Sequence, residues 1–283
     1  SFDQLDHYKI ANGLLLLGGI LLCFILFSKV LNSKQMAAVI CILIAVNAHL
    51  QIYGSLVMSE TPYTFSSLVA LWFFRRLELK RPAYGYLDII ILAVIVAICI
   101  YIRSIGVALF MAFLVLLLIR KQFKQAGIFA LSVIVFYAPW WIRNQQLSEN
   151  SYTSQLLLKN PYQPELGNVG FVDLIERVYI NLERYVFTEL PAALLYTKDI
   201  FYTNQSYNTT DYLIGIAFAG VLIFGTIRIY KLMPVVVLYA SAYFLILLVW
   251  PSVWYGTRFI VPLIPILILF VVQGVHQCIQ CLI

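Results

Sequence analysis

The chain has 283 residues, 62% of them hydrophobic and only 11% charged, with a mean hydropathy of +0.89. Soluble domains run to roughly 45–50% apolar and about 25% charged residues, so this composition excludes a soluble globular protein and points to an integral membrane protein. The formal charge of +6 is no nucleic-acid footprint, because the basic residues fall in short loops between apolar runs, where membrane orientation accounts for them.

Apolar runs recur at about the 17–25 residues that a helix needs to cross a hydrocarbon core of about 30 Å. Alternating ten-residue strands of the barrel type are absent from the sequence, so the expected class is all-α, a polytopic helical bundle. In chain order the runs are Tyr8 to Phe27, Gln35 to His49, Thr61 to Phe74, Leu87 to Ile102, Ile105 to Ile119, Ala126 to Trp141, Tyr212 to Ile227, Met233 to Trp250 and Phe259 to His276. These predict about nine spans. They divide the chain into N-terminal membrane helices (1–143), a long extracytoplasmic connection (144–211) and C-terminal membrane helices (212–283).

Every second loop is basic: Lys29 and Lys34, Arg75 to Arg81, Arg120 to Lys124, Arg228 and Lys231. The bias places these loops in the cytoplasm and the alternate set outside, as for a multi-pass protein of a bacterial inner membrane. The connection from Asn144 to Asp211 is too long for an idle link. Within it, Phe171 to Tyr185 sets apolar residues at helical spacing opposite charges, which predicts an amphipathic helix lying at the membrane surface. Two glycosylation sequons, at Asn204 and Asn208, are short patterns that arise often by chance. Cys23, Cys41 and Cys99 lie inside apolar runs as small core residues, and the Cys278-x-x-Cys281 pair lacks the second pair that a zinc site needs.

The outer loops carry the residues that topology does not explain. Glu60, in Val57-Met58-Ser59-Glu60-Thr61-Pro62, is a carboxylate between two apolar runs, where a charge is costly unless it faces a cavity, a metal or a partner. It suits acid/base or metal chemistry, and it equally suits the positive end of a helix that begins there. His49, with Asn47 beside it on the same side, could join Glu60 as a ligand for a divalent cation such as Mg, Mn or Zn. A histidine at a helix exit also serves as an ordinary interface residue. Arg103, Arg143 and Arg258 offer guanidinium forks suited to phosphate oxygens, or to snorkelling toward lipid headgroups. Trp140 and Trp141 flank Arg143 as an interfacial belt would. Tyr255, in Trp254-Tyr255-Gly256-Thr257-Arg258, is an aromatic face fit to line a sugar site or to anchor the loop. No Ser/His/Asp order and no Gly-rich phosphate loop is present, so nucleotide hydrolysis and proteolysis have no support.

Four segments, taken in order, resemble the GT-C class of polytopic glycosyltransferases, in particular bacterial relatives of dolichyl-phosphate-mannose protein mannosyltransferases and of the lipid A aminoarabinose transferase. They are Asn47 leading to Met58-Ser59-Glu60, Tyr101-Ile102-Arg103-Ser104-Ile105-Gly106, Pro139-Trp140-Trp141-Ile142-Arg143-Asn144, and Tyr255 to Pro265. The resemblance implies sugar transfer from a polyprenyl-phosphate donor to a lipid, glycan or protein acceptor at the extracytoplasmic face, with membrane lipid around it. It implies that Arg103 and Arg258 hold the lipid phosphate and that Glu60 is the catalytic or metal-facing acid. That class also carries an acidic motif in its first outer loop. Asp3 and Asp6 do not match it, so one or two spans and that loop are expected before Ser1. Two other readings remain open: an O-antigen ligase or polymerase, which would place its catalytic residues in the long outer connection, and a transporter or flippase, which would need broken or charged segments at mid-membrane.

Overall fold

The computed structural model describes residues 2–79, 85–147, 152–197 and 207–282. The 80–84 part of the basic loop and the Asn204 sequon fall outside them. Among the described residues the regular structure is all helical, with a single isolated bridge between Leu158 and Asn168. The nine predicted runs fall on ten helices: α1 (Phe2–Leu31), α2 (Lys34–Ala45), α3 (Ala48–Ser55), α4 (Glu60–Leu79), α5 (Tyr86–Ile102), α6 (Val107–Ile119), α7 (Phe123–Leu147), then, after the long connection, α11 (Thr209–Leu232), α12 (Pro234–Val249) and α13 (Ile264–Leu282). The connection itself holds α8 (Tyr152–Leu157), α9 (Phe171–Arg184), a π-helical turn (Tyr185–Glu189) and α10 (Leu190–Leu195).

Length and composition let four of these helical segments cross a membrane alone: Asp6–Leu31, Phe123–Asn144, Thr209–Leu232 and Val261–Cys281. α2 and α3 together make a fifth, bent by 57°, and the helices over Tyr86–Ile102, Ser104–Ile119 and Pro234–Val249 are apolar but shorter. The chain is therefore a helical membrane protein. Where the sequence reads one run from Gln35 to His49, the structure has two helices. The reason is Asn47, whose side chain accepts the Leu50 N–H and so starts a new helix at Ala48.

α11 packs along α13, α12 along α6, α5 along α7, and α1 along α2 and α4. α11 and α13 meet backbone to backbone: a Cβ added at Gly225 would fall 1.8 Å from the Phe270 carbonyl oxygen, and one at Gly274 2.0 Å from that of Val221. Small residues at such a crossing are what membrane helices use when no hydrophobic effect drives them together. At the far end of α4, Glu78 takes Arg75 at 3.1 Å and Arg120 at 2.5 Å. The C-terminal ends of α4 and α6, beside stretches read as basic and cytoplasmic, thus lie at one end of the bundle.

α9 has the amphipathic pattern that its sequence predicts, and its polar side is the one turned inward. Arg177, Asn181 and Arg184 are buried, while Phe171, Val172, Ile175, Tyr179 and Leu182 are exposed. Arg177 donates to the carbonyls of Leu156, Leu158 and Val249, and Asn181 to those of Leu247, Leu248 and Trp250. Carbonyls at the end of α12 are what this face of α9 satisfies.

Gly225→Ala is expected to force α11 and α13 apart and to destabilise the bundle by about 1–3 kcal/mol. Gly220→Ala, on the same helix with open space around its Cβ position, serves as the control and should leave the thermal midpoint unchanged.

Candidate functional site

At the end of the bundle opposite Glu78, α4 opens on Glu60. Its first turn is fixed by Pro62, whose missing N–H costs nothing there, by the Tyr63 amide on the Ser59 carbonyl (3.1 Å) and by the Thr64 hydroxyl on the Glu60 carbonyl (2.8 Å). Thr61 ties the same turn to α3 through the Tyr53 carbonyl at 3.3 Å. The Glu60 side chain is 0% exposed. A carboxylate so far from water needs compensating charge.

Two arginines from distant parts of the chain supply it. Arg258 donates Nε–H to Glu60 Oε1 at 2.5 Å, and Arg103 brings Nη1 to the same oxygen at 2.5 Å. The Arg103 contact is an ion pair by distance, with its N–H not aligned as a hydrogen bond. Arg103 ends α5, and the reversal into α6 is tight enough that a Cβ at Gly106 would sit 2.7 Å from the Ile100 nitrogen. Arg258 lies in a 3-10 turn entered through Gly256, whose φ of 120° suits glycine.

The three groups differ in access. The Arg103 side chain is 14% exposed and that of Arg258 46%. Arg258 spends its Nε on Glu60, and nearly half of its side chain remains exposed. Two guanidiniums against one carboxylate leave the cluster one positive charge in excess. Among the described residues Glu60 Oε2 has no hydrogen-bond partner. Under the cluster, Tyr63, Tyr239 and Tyr243 form a buried floor: the Tyr63 and Tyr239 hydroxyls are 3.1 Å apart, and the Tyr243 hydroxyl donates to the Phe259 carbonyl at 2.8 Å.

The structure thus brings Glu60, Arg103 and Arg258 together and gives the other expected residues different surroundings. His49 is buried and bonded at both ring nitrogens, to the Ala192 carbonyl and the Thr257 hydroxyl, each at 3.2 Å. Since the carbonyl can only accept, Nε2 carries the proton and Nδ1 takes the Thr257 hydroxyl. Its lone pair is engaged, and with two guanidiniums already on Glu60 these residues do not fit a divalent cation. His49 instead holds Thr257, the neighbour of Arg258. Asn47 is a joint: it caps α3 and donates to the Ala193 carbonyl at 2.9 Å. Arg143 is exposed, its guanidinium 5.1 Å over the Trp140 ring, and is not joined to Glu60. The Tyr255 ring lies under the Arg184 guanidinium at 4.9 Å, so one face of it is already covered.

The sequence reading missed Arg184, Glu189 and the tyrosine floor. The tyrosines left a faint signal, since Glu60, Tyr63, Thr64 and Ser67 lie three, four and seven residues apart on α4 and all are buried. Arg184 sits on the α9 face that the sequence assigns to solvent.

Removing the negative charge by Glu60→Gln leaves Arg103 buried without a counter-charge, which is expected to cost about 3 kcal/mol. Arg258→Ala frees a half-exposed partner and should cost less than about 1 kcal/mol. Thermal midpoints in one detergent measure the difference.

No protein-family model matches the chain, and no curated protein and no solved structure matches it.

Proposed function

We propose that the chain is an integral membrane glycosyltransferase that moves a sugar from a polyprenyl-phosphate donor to a lipid, glycan or protein acceptor at the extracytoplasmic face. The observation that carries this reading is the Glu60 cluster: one buried carboxylate holding two arginines, one of them 46% exposed. A guanidinium fork matches phosphate oxygens in geometry and charge. In the same reading the nine helical runs cross or enter the bilayer, the basic loops are cytoplasmic, and the exposed apolar face of α9 lies in the headgroup boundary of the outer leaflet.

The acceptor oxygen attacks the anomeric carbon. The bond from that carbon to the phosphate oxygen breaks, and its electron pair stays on the phosphate. Arg258, with Arg103 behind it, stabilises the charge that gathers there. Glu60 serves by fixing both guanidiniums in place. A carboxylate clamped by two cations is a poor proton acceptor, so the acceptor's proton passes to a base outside this cluster.

Movement of a phosphorylated lipid without transfer is a second reading, favoured by the bent break between α2 and α3, since discontinuous helices line many translocation sites. A ligase built on the outer connection is disfavoured. Arg177, Asn181 and Arg184, the buried polar groups of α9, are spent on backbone carbonyls.

Vesicles carrying the full-length protein, supplied with a labelled polyprenyl-phosphate sugar and an acceptor, test the reading. Arg258→Ala and Glu60→Gln are expected to lower kcat/KM by roughly a hundredfold, and Arg143→Ala to leave it unchanged. Undiminished transfer in the first two would sink the site assignment, and lipid movement with no transfer would favour the second reading.

A further inference from the structure

The loop that carries Arg258 runs from the end of α12 along the inner side of the α9 segment, which meets it in sequence. Asn181 holds the carbonyls of Leu247, Leu248 and Trp250. Arg184 donates to the Ser252 carbonyl at 2.7 Å and covers the Tyr255 ring. Next comes Glu189, whose Oε1 accepts the Gly256 N–H at 2.8 Å. His49 then takes Thr257, and Glu60 takes Arg258.

Regular helix geometry would not put Glu189 in that row. An α-helix turns about 100° per residue, so a residue five places beyond Arg184 points about 140° away from it. The five residues that follow Arg184, ending in Glu189 itself, form the π-helical turn, Tyr185–Glu189. Its amides bond five residues back, and the wider turn brings the fifth residue much closer to the line of Arg184 than an α-helix would. Glu189 is 0% exposed, and it meets the loop at the one residue whose φ of 120° needs glycine. A buried charged acceptor on that amide fixes the direction from which Thr257 and Arg258 leave the loop.

We infer that Glu189 is a positioning residue, brought to the loop by the π-turn, which holds Gly256 so that Arg258 meets Glu60. What this means for phosphate binding rests on the function proposed above; the link from Glu189 to Arg258 stands on its own geometry.

The test is the Arg258 Nε–H resonance in the full chain, labelled with 15N-arginine in lipid nanodiscs and assigned through its loss in Arg258→Lys. In the unmodified protein the resonance is shifted by its bond to Glu60. In Glu189→Leu, and in the milder Glu189→Asp, whose shorter side chain withdraws the acceptor, it should move to the position of a free guanidinium and exchange with water about tenfold faster or more. Glu189→Gln keeps an oxygen that can take the Gly256 N–H and should retain the shifted resonance, a rescue that a loss of overall stability would not produce. An unchanged resonance in both Leu and Asp variants overturns the inference, as does its loss in Gln to the same degree as in Leu. Binding of dodecyl phosphate, measured on the same samples, judges the other reading: if Arg258→Ala binds it as well as the unmodified protein does, the phosphate role falls while the resonances still decide on Glu189.

Discussion

The organisation of the site follows from one electrostatic demand, that of the Glu60 carboxylate for positive charge. With no exposure to water it has to be met by protein groups, and the groups that meet it come from the α5–α6 reversal and from the turn before α13. Satisfying it draws three stretches, separated by 43 and 155 residues in the sequence, to one end of the bundle. Two cations are one more than neutrality requires. Of the two, Arg258 is the better exposed. The tyrosine floor and the His49 contact to Thr257 then act on the shape of this end of the molecule rather than on its charge.

Much of this was legible in the sequence, and the physical reason is scarcity. In a chain with so few ionisable residues, an acid or an arginine at the end of an apolar run stands out, and the cost of leaving it unpaired makes a partner a sound expectation. Glu60, Arg103 and Arg258 were found that way. The same argument was less discriminating for Arg143, whose place beside Trp140 satisfies it without a carboxylate, and for His49, because a buried imidazole can be content with a carbonyl and a hydroxyl. The kink at Asn47 was hidden because a polar residue near a membrane boundary reads as an exit as readily as it reads as a cap.

α9 shows a deeper limit. Periodicity states which residues share a face and is silent on which face turns inward. In water the apolar stripe must be the buried one; beside a bilayer, lipid offers it an equal refuge, and the polar stripe is released to serve the backbone of a neighbour. Arg177, Asn181 and Arg184 are used in that way. Glu189 was harder still to foresee, because the π-turn displaces the register after Arg184 and no residue pattern in Tyr185-Val186-Phe187-Thr188-Glu189 announces it. A helix wheel drawn straight through the segment would have sent this side chain elsewhere.

α4 is clamped at both of its extremities, by Arg103 and Arg258 on Glu60 and by Arg75 and Arg120 on Glu78. At 1.5 Å per residue the two carboxylates stand roughly 27 Å apart along the axis. The helix is in effect a bolt with a charged head at each end. With both carboxylates paired, α4 cannot slide along its axis without unpairing a charge at one end, so it fixes the separation of the two ends of the bundle that it ties together.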